Sequence, residues 1–174
     1  MCRCWGNDVS GGRAYSTTLA KDLIRVEVDT VLYALEVARI REIVNPLPLI
    51  ELPRERPFVL GVSDYREQVV AVVDLRRLFG LPPQEVSRRT KWIIIEAAGM
   101  LVGVVVDAVL DVFSSAAHPR REVPVLDERH RGRGITSAYH HDEQLVFLLD
   151  PERLVEPAMD IHSGEVPSLP SEAP

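Results

Sequence analysis

The chain has 174 residues, of which 46% are hydrophobic, and a formal net charge of −6. This length is typical of one domain, and the apolar content is sufficient for a buried core. An acidic balance argues against non-specific nucleic-acid binding, because the phosphate backbone repels acidic surfaces. Every apolar run is shorter than the roughly 20 residues that cross a bilayer, so we expect no direct membrane insertion.

The two ends of the chain differ in composition from the middle. Residues 1–18 mix Gly, Ser, Asn and Thr without an apolar period, and residues 159–174 are rich in Pro, Ser and acids. Such segments bury too little apolar surface to fold, which predicts a disordered leader and tail around a folded domain at 19–158. The start also lacks the apolar stretch of a secretory signal, which favours a cytoplasmic location.

Cys2 and Cys4 are the only cysteines of the chain. A Cys-x-Cys pair can bind a metal ion, but this pair has no second pair of ligands at a recognised spacing. The sequence therefore predicts no zinc site at the N-terminus.

The first third of the chain predicts two strands and a helix. Polar and apolar residues alternate over residues 23–29, which is typical of a half-buried strand, and residues 31–35 form a second strand after a turn at Asp29. Over residues 36–44, Val37, Ile40, Ile43 and Val44 fall at helical spacing, which predicts a short helix. Four prolines between residues 46 and 57 then predict an extended connector that pairs with no strand.

The central stretch, residues 57–81, predicts a hairpin followed by a helical turn. Apolar runs flank a compact polar tip at residues 64–68, as expected for two largely buried strands. Asp74 can cap the free N–H groups of a helical turn at residues 75–79, and Gly80 can end it.

The remaining pattern indicates more short strands. Residues 91–96 and 100–106 predict a hairpin turning at 97–99, and residues 107–113 continue the second strand with a bend at Asp111. We expect a loop at 118–122, an edge strand at 123–126, a basic run at 129–133, and a closing hairpin of residues 135–139 and 144–149. Asp150 and Pro151 begin a short helix. Many short strands indicate an all-β barrel or sandwich with short helical connectors.

The segment GVSDYREQVVAVVDLRRLFGL, residues 61–81, resembles the signature GVxNxRGxVVPVVDLRxxxGL of the CheW-like adaptors of bacterial chemotaxis. The resemblance extends upstream through YALEVARIREIVNPLPLIELP and downstream through WIIIEAAGMLVGVVVDAVLDV, from about residue 19 to about residue 155. It implies two small SH3-like β-barrels packed together, with the second formed by an excursion between strands of the first.

The same resemblance implies a function. We expect a non-enzymatic cytoplasmic adaptor, recruited to receptor arrays, that joins the cytoplasmic tip of a chemoreceptor to the regulatory domain of a CheA-like histidine kinase. Such an adaptor needs no cofactor and no metal ion.

Arg66 and Glu42 are the leading candidates for a binding site. An arginine at a hairpin tip can reach a carboxylate in a forked geometry, and Glu42 precedes the hairpin. On physical grounds alone, the pair is an exposed ion pair contributing at most about 1 kcal/mol. The resemblance implies that this charged pair lies at a groove that meets the receptor's helical hairpin.

Several apolar residues are candidates for the same groove. Core burial is the default explanation for Ile40, Ile43, Val44 and Val62, although a groove for an amphipathic helix needs such side chains at its floor. The resemblance implies that Ile40, Gly61 and Val112 lie in or beside the receptor-binding region.

The tip departs from the signature, in which it would be Asn-Leu-Arg-Gly. Here Asp64 and Glu67 flank Arg66 with acids, and Glu67 replaces a glycine at a cost of roughly 1 kcal/mol if positive φ persists. This predicts a changed tip shape, with neutral drift in a tolerant loop as an equal alternative. An accessory adaptor that binds receptors or arrays but engages the kinase weakly is therefore a second hypothesis.

A hydrolase on a small β-barrel is the alternative from another class. Its test is a pocket of carboxylates and histidines that could bind a metal ion. Asp74 and Asp150 are explained as helix caps, while Asp107 and Asp111 lack a spaced set of histidines. His140 and His141 fall at a hairpin tip, where paired histidines are usually solvated. We therefore expect no such pocket and no enzyme.

Overall fold

The computed structural model describes residues 20–52, 56–123 and 134–159. In these ranges the chain forms eleven strands, two α-helices and two short 3-10 turns. The strands are β1 Asp22–Val28, β2 Val31–Glu36, β3 Ile40–Val44, β4 Val59–Tyr65, β5 Gln68–Asp74, β6 Lys91–Ala97, β7 Met100–Val106, β8 Ala108–Ser114, β9 Arg120–Arg121, β10 Ile135–His141 and β11 Gln144–Leu149. The helices are α1 Leu75–Leu78 and α2 Pro151–Met159.

The strands form two sheets. The six-stranded sheet has the order β8-β1-β2-β11-β10-β9, and the five-stranded sheet has the order β3-β6-β7-β5-β4. The chain leaves the first sheet after β2, builds the whole second sheet with residues 40–106, and returns with β8. The mostly-β architecture is confirmed, as is the excursion that forms the second sheet within the first.

A shared hydrophobic core lies between the two sheets, and each sheet has a smaller core of its own. The shared core combines buried side chains of β1, β2, β5, β6, β7 and α2, among them Ile24, Val26, Leu35, Val73, Ile93, Val104 and Leu154. The smaller cores are Leu23, Ala34, Phe113, Tyr139, Val146 and Leu148 in the six-stranded sheet, and Tyr65, Val70 and Ile94 in the five-stranded sheet. Burial on both faces explains the continuous apolar runs of β6 and β7.

The hairpin and its cap match the sequence prediction. Strands β4 and β5 pair in antiparallel register from Tyr65 and Gln68 outwards. The Asp74 side chain accepts hydrogen bonds from the backbone N–H groups of Arg76 and Arg77, at 2.8 and 3.4 Å, and so caps α1. Burial raises the pKa of the Asp74 carboxyl, and the hydrogen bonds from the capped N–H groups partly oppose that effect.

The helix predicted at residues 36–44 is wrong. A 3-10 turn, Val37–Arg39, leads into β3, which pairs with β6. Ile40, Ile43 and Val44 are β-branched and pack better in a sheet, where the partner strand overrides the helical spacing. Glu42 therefore lies on an edge strand.

Three other predictions need correction. Residues 107–113 do not continue β7: the chain bends at Asp107, and β8 joins the other sheet beside β1. Within β8, however, the bend expected at Asp111 is confirmed as a register shift opposite Arg25. The proline-rich connector is not wholly unpaired, because Ile50 bridges Val62. The loop expected at residues 118–122 contains the short strand β9.

Some predictions fall outside the described residues. These are the leader with Cys2 and Cys4, nearly all of the edge strand at 123–126, the basic run at 129–133 and the tail from residue 160. Within the described ranges, neither helix combines the length and the apolar character that crossing a bilayer requires.

Arg76 joins the two sheets through a partly buried ion-pair network. Its guanidinium contacts Asp107 at 2.6 Å and Asp29 at 3.1 Å, and its Nε donates to the Pro82 carbonyl. Asp107 also accepts the backbone N–H of Asp29 at 2.6 Å. Burial alone would lower the pKa of Arg76, but the hydrogen bonds and charges of Asp107 and Asp29 outweigh burial and raise it. The network connects α1, the β1–β2 turn and the β7–β8 junction.

We expect Arg76→Ala to lower the free energy of unfolding by about 2–4 kcal/mol, because it leaves Asp107 with an uncompensated, largely buried charge. Urea denaturation followed by circular dichroism measures this change. Arg89→Ala is the matched control, since Arg89 is 64% exposed and contacts Glu27 at 3.4 Å. The control should change stability by less than about 0.5 kcal/mol. Equal effects of the two substitutions would contradict a special role for Arg76.

Candidate functional site

Glu42, Tyr65 and Arg66 form a compact polar contact at the tip of the β4–β5 hairpin. The Tyr65 hydroxyl donates a short hydrogen bond to Glu42 Oε2, and Arg66 Nη2 lies 2.8 Å from the same oxygen. The Arg66 guanidinium carbon is 5.5 Å from the centroid of the Tyr65 ring. One carboxylate oxygen is thus held by a phenol and a guanidinium. The predicted partners Arg66 and Glu42 do form an ion pair.

This contact also closes the five-stranded sheet. Glu42 lies on β3 and Tyr65 on β4, which are the two outermost strands of that sheet. Ile50 and Val62 exchange backbone hydrogen bonds of 2.8 and 2.9 Å beside it, and the Ser63 hydroxyl donates to the Pro48 carbonyl at 2.8 Å. The edges therefore meet around the small core of Tyr65, Val70 and Ile94. The hydrogen bond from Tyr65 to Glu42 therefore has a structural role, whatever the exposed Arg66 binds.

The electrostatics favour an ionised carboxylate and a neutral phenol. The hydrogen bond from Tyr65 lowers the pKa of the Glu42 carboxyl; partial desolvation opposes this, and the charge of Arg66 adds to it. The same hydrogen bond raises the pKa of the Tyr65 hydroxyl, and burial adds to that effect. The Arg66 side chain is 72% exposed, so its remaining donors face solvent and can reach a partner.

The four candidate apolar residues divide into two groups. Ile40 is half-buried against the shared core, and Val44 is half-buried against the core of the five-stranded sheet. Ile43 is 38% exposed, and Val62 is half-buried at the bridge to Ile50. Ile40 and Val44 therefore support the fold from within, whereas Ile43 and Val62 retain surface that a partner can contact.

Val112 lies on the other sheet, on β8, and is 58% exposed. Its Cα partner is Ile24, and the Cα partner of Ile43 is Ile93; both partners belong to the shared core. Residues directly opposite each other in an antiparallel pair point to the same face. Val112 and Ile43 therefore lie on the inner faces of their two sheets, which face each other across the shared core. Both residues are partly exposed, so they lie at the edge of that core.

The hairpin tip keeps a two-residue turn with positive φ at both positions, 50° at Arg66 and 64° at Glu67. Asp64 Oδ1 accepts the backbone N–H of Glu67 at 3.0 Å, which supports the turn. Glu67 thus has the positive φ on which its expected cost depends, while a change of tip shape relative to the signature stays a prediction. The cost of this conformation is roughly 1 kcal/mol.

Gly61 has a steric role. It is buried, its φ is 152°, and a Cβ atom there would lie 2.2 Å from the carbonyl oxygen of Ile50. Only a residue without a side chain lets the connector approach β4 closely enough to pair with Val62. This explains the glycine of the signature without a binding role.

A second polar cluster was missed by the sequence analysis. His141 is not solvated at a tip: it lies on β10, only 14% of its side chain is exposed, and its ring stacks on Phe113 at 4.4 Å. Its Nδ1 is 3.0 Å from Nε2 of His118, and its Nε2 is 3.8 Å from Asp111 Oδ2. His140 is exposed, and the turn itself consists of Asp142 and Glu143.

The signal for this cluster was partly present. Alternation along β10 places one of two adjacent histidines inward. Nothing in the sequence showed that β8 would reach the end of β10, because three strands separate them in the sheet. The expectation of no carboxylate–histidine cluster does not hold: Asp111, His141 and Asp142 have ligand atoms within 4.8 Å of one another.

Comparison with known proteins gives consistent results. A family model described as CheW-like domain matches residues 22–158. The chain is 26% identical over 137 residues to the probable chemotaxis protein CheW of Rhizobium etli, covering 77% of this chain and 86% of that protein. It is 25% identical over 124 residues to the chemotaxis protein CheW of Bacillus subtilis, covering 71% and 80%.

A solved structure has the same fold. The crystal structure of the scaffolding protein TtCheW from Thermoanaerobacter tengcongensis superposes with a TM-score of 0.71. It is 21% identical in sequence, and the match covers 79% of this chain and 94% of that one.

We expect Glu42→Gln to cost less stability at acid pH than at neutral pH. The pKa of Glu42 is lowered in the folded state from its ordinary 4.5, so the ionised carboxylate stabilises the fold above that value. This contribution is lost as pH falls through the lowered folded pKa. Urea titrations of the parent protein and of Glu42→Gln, at about pH 7 and about pH 3, measure the difference. A difference that stays constant across this range would contradict the Tyr65–Glu42 contact.

We expect Gly61→Ala to lower the free energy of unfolding by about 2–3 kcal/mol, since it combines backbone strain with a clash against Ile50. Gly99→Ala is the matched control: Gly99 has φ 74°, and a Cβ there would meet nothing within 4 Å. The control should cost only about 1 kcal/mol. Thermal and urea unfolding provide both values. If Gly61→Ala costs no more than the control, the close approach of the connector is not required.

Proposed function

Because the chain belongs to the CheW-like domain family, we propose that it is a non-enzymatic cytoplasmic adaptor that couples the tip of a chemoreceptor to a CheA-like histidine kinase. The family match covers residues 22–158, which are most of the chain, and the relatives named above are chemotaxis proteins. Both findings support a role in chemotaxis signalling.

The observation that carries the receptor half of the proposal is the exposed guanidinium of Arg66. It is fixed by Glu42 at 2.8 Å and lies over the Tyr65 ring, yet 72% of its side chain faces solvent. A held but accessible guanidinium loses little side-chain entropy when it binds a carboxylate. Such a group is suited to recognising a charged partner.

We propose that the surface around Arg66 receives the helical hairpin of the receptor. Exposed apolar side chains at the rim of the shared core would contact the apolar stripe of a helix, with Arg66 pairing with an acidic group beside it. Asp64 and Glu67 would contact the polar flank. The proposed receptor-binding set is Glu42, Arg66, Ile43, Val62, Asp64, Glu67 and Val112, supported from within by Ile40, Val44 and Gly61.

We place the kinase on a different surface, so that receptor and kinase can bind together. The adaptor can then change kinase activity only to the extent that it binds the active and inactive arrangements of the kinase with different affinity. This mechanism needs no cofactor and no bond chemistry. The accessory variant, which binds receptors or arrays but engages the kinase weakly, differs from this adaptor only in its affinity for the kinase.

We expect Arg66→Ala to weaken binding to a receptor cytoplasmic fragment about tenfold or more, as is typical of a central arginine in an interface. The free energy of unfolding should change by less than about 1 kcal/mol, because the pair with Glu42 is exposed. Calorimetry or biolayer interferometry with the cognate receptor fragment measures the affinity, and urea denaturation measures stability.

Arg153→Ala is the control for this experiment. Arg153 is 49% exposed and contacts Asp150 at 3.6 Å. Its substitution by alanine therefore removes the same charge from a surface away from the tip. Unchanged receptor affinity in Arg66→Ala would remove the tip from the interface. A failure of the unsubstituted protein to co-purify with both receptor and kinase would overturn the adaptor proposal itself.

A further inference from the structure

We propose that Asp111, His141 and Asp142 form a binding site for a divalent transition-metal ion of the Zn²⁺ class, and that the ion would join the edge strand β8 to the β10–β11 hairpin. One imidazole nitrogen and two carboxylate oxygens are a donor set that Zn²⁺ and its neighbours bind. The three ligand atoms lie within 4.8 Å of one another.

The distances are longer than direct hydrogen bonds and approach the separations between ligands of one cation. His141 Nε2 lies 3.4 Å from Asp142 Oδ2 and 3.8 Å from Asp111 Oδ2. Direct N–H···O hydrogen bonds are usually about 2.7–3.2 Å long. Two ligands at about 2.0–2.2 Å from a tetrahedral ion are separated by roughly 3.3–3.6 Å. Small side-chain movements would bring all three atoms to bonding distance.

The histidine is oriented as a metal ligand requires. Its other nitrogen, Nδ1, is 3.0 Å from Nε2 of His118. When Nδ1–H donates to His118, the lone pair of Nε2 is left free and faces the two carboxylates. Phe113 fixes the plane of the ring, stacking on His141 at 4.4 Å and meeting His118 edge-on at 5.4 Å. His118 is thus an orienting partner of the ligand.

Arg25 is the competitor for the carboxylates, and it limits the affinity. Its Nε and Nη2 bind the two oxygens of Asp111 at 2.9 and 2.7 Å, and Nη2 is 3.4 Å from Asp142. One guanidinium beside two carboxylates leaves a local charge of about −1 when the histidines are neutral. An ion between Asp111 Oδ2 and Asp142 Oδ2 would displace Nη2 from both oxygens, which it contacts at 2.7 and 3.4 Å. Arg25 can stay on Asp111 through the contact of its Nε with Oδ1 at 2.9 Å.

The ion would connect strands that the sheet separates. Asp111 lies on β8 and His141 on β10, with β1, β2 and β11 between them in the sheet. A ligand that binds the folded chain more tightly than the unfolded chain stabilises the fold by mass action. Metal binding should therefore be visible as added thermal stability without any assay of signalling.

The test uses the full-length, tag-free protein carrying Cys2→Ser and Cys4→Ser, because those thiols would also bind Zn²⁺. After treatment with a chelator, the protein is titrated with ZnCl₂ by calorimetry, and its thermal unfolding is followed with and without the metal. We expect one ion per chain and a higher unfolding temperature with Zn²⁺. Absence of saturable binding would overturn the proposal.

Asp142→Asn is the decisive variant, because Asp142 is 63% exposed and its φ of 48° suits asparagine equally well. We expect it to fold normally and to lose the thermal shift. His141→Ala should lose it too, and His118→Phe should weaken binding by roughly 10- to 100-fold. The exposed neighbours provide matched controls, His140→Ala and Glu143→Gln, which should bind as before. Unchanged binding in Asp142→Asn would show that the ion lies elsewhere.

Discussion

The closure of each small sheet across its outer strands is the constraint on which the structure depends. A curved sheet leaves two edges whose backbone groups and inner core would otherwise meet water. In the five-stranded sheet, the contact of Glu42 with Tyr65 and Arg66 joins the edges. In the six-stranded sheet, His141 and Asp111 lie close together near its two ends. In the described part of the chain, both seams are polar and charged, so each is also a place where an external ion or protein can compete.

This arrangement separates the parts of the sequence signature by role. Gly61 allows the close approach of the connector, Asp74 caps α1, and Arg76 ties the two sheets together. The contacts of these three residues within the described part of the chain explain their presence in the signature without a binding partner. Arg66 differs, because its side chain stays 72% exposed while it is paired with Glu42. A binding role is therefore best sought at the tip, while the rest of the signature maintains the shape that presents it.

The sequence predicted the strands well where alternation, turns and caps agreed, as in the β4–β5 hairpin with its Asp74 cap. It failed at β3, where Ile40, Ile43 and Val44 fall at helical spacing although all three are β-branched, and pairing with the partner strand β6 overrides that spacing. The Glu42–Arg66 pair was predicted because an arginine at a hairpin tip can reach a carboxylate on the preceding element, and the family resemblance favoured this pair. The contact of Asp111 with His141 was not predicted, since it depends on how the sheet curves and local patterns do not encode that.

The acids at the tip narrow what can bind there. Glu42 pairs with Arg66, and Asp64 and Glu67 lie next to Arg66 in the same turn, so acids outnumber this guanidinium at the tip. The Asp64 side chain accepts the backbone N–H of Glu67, which fixes the turn that carries both acids. A partner that offers only a carboxylate to Arg66 would be repelled by the carboxylates of Asp64 and Glu67, and like charges across an interface are costly. A partner that binds this tip must therefore pair its acidic group with basic neighbours. That charge pattern, more than the apolar rim, would decide which partner the tip accepts.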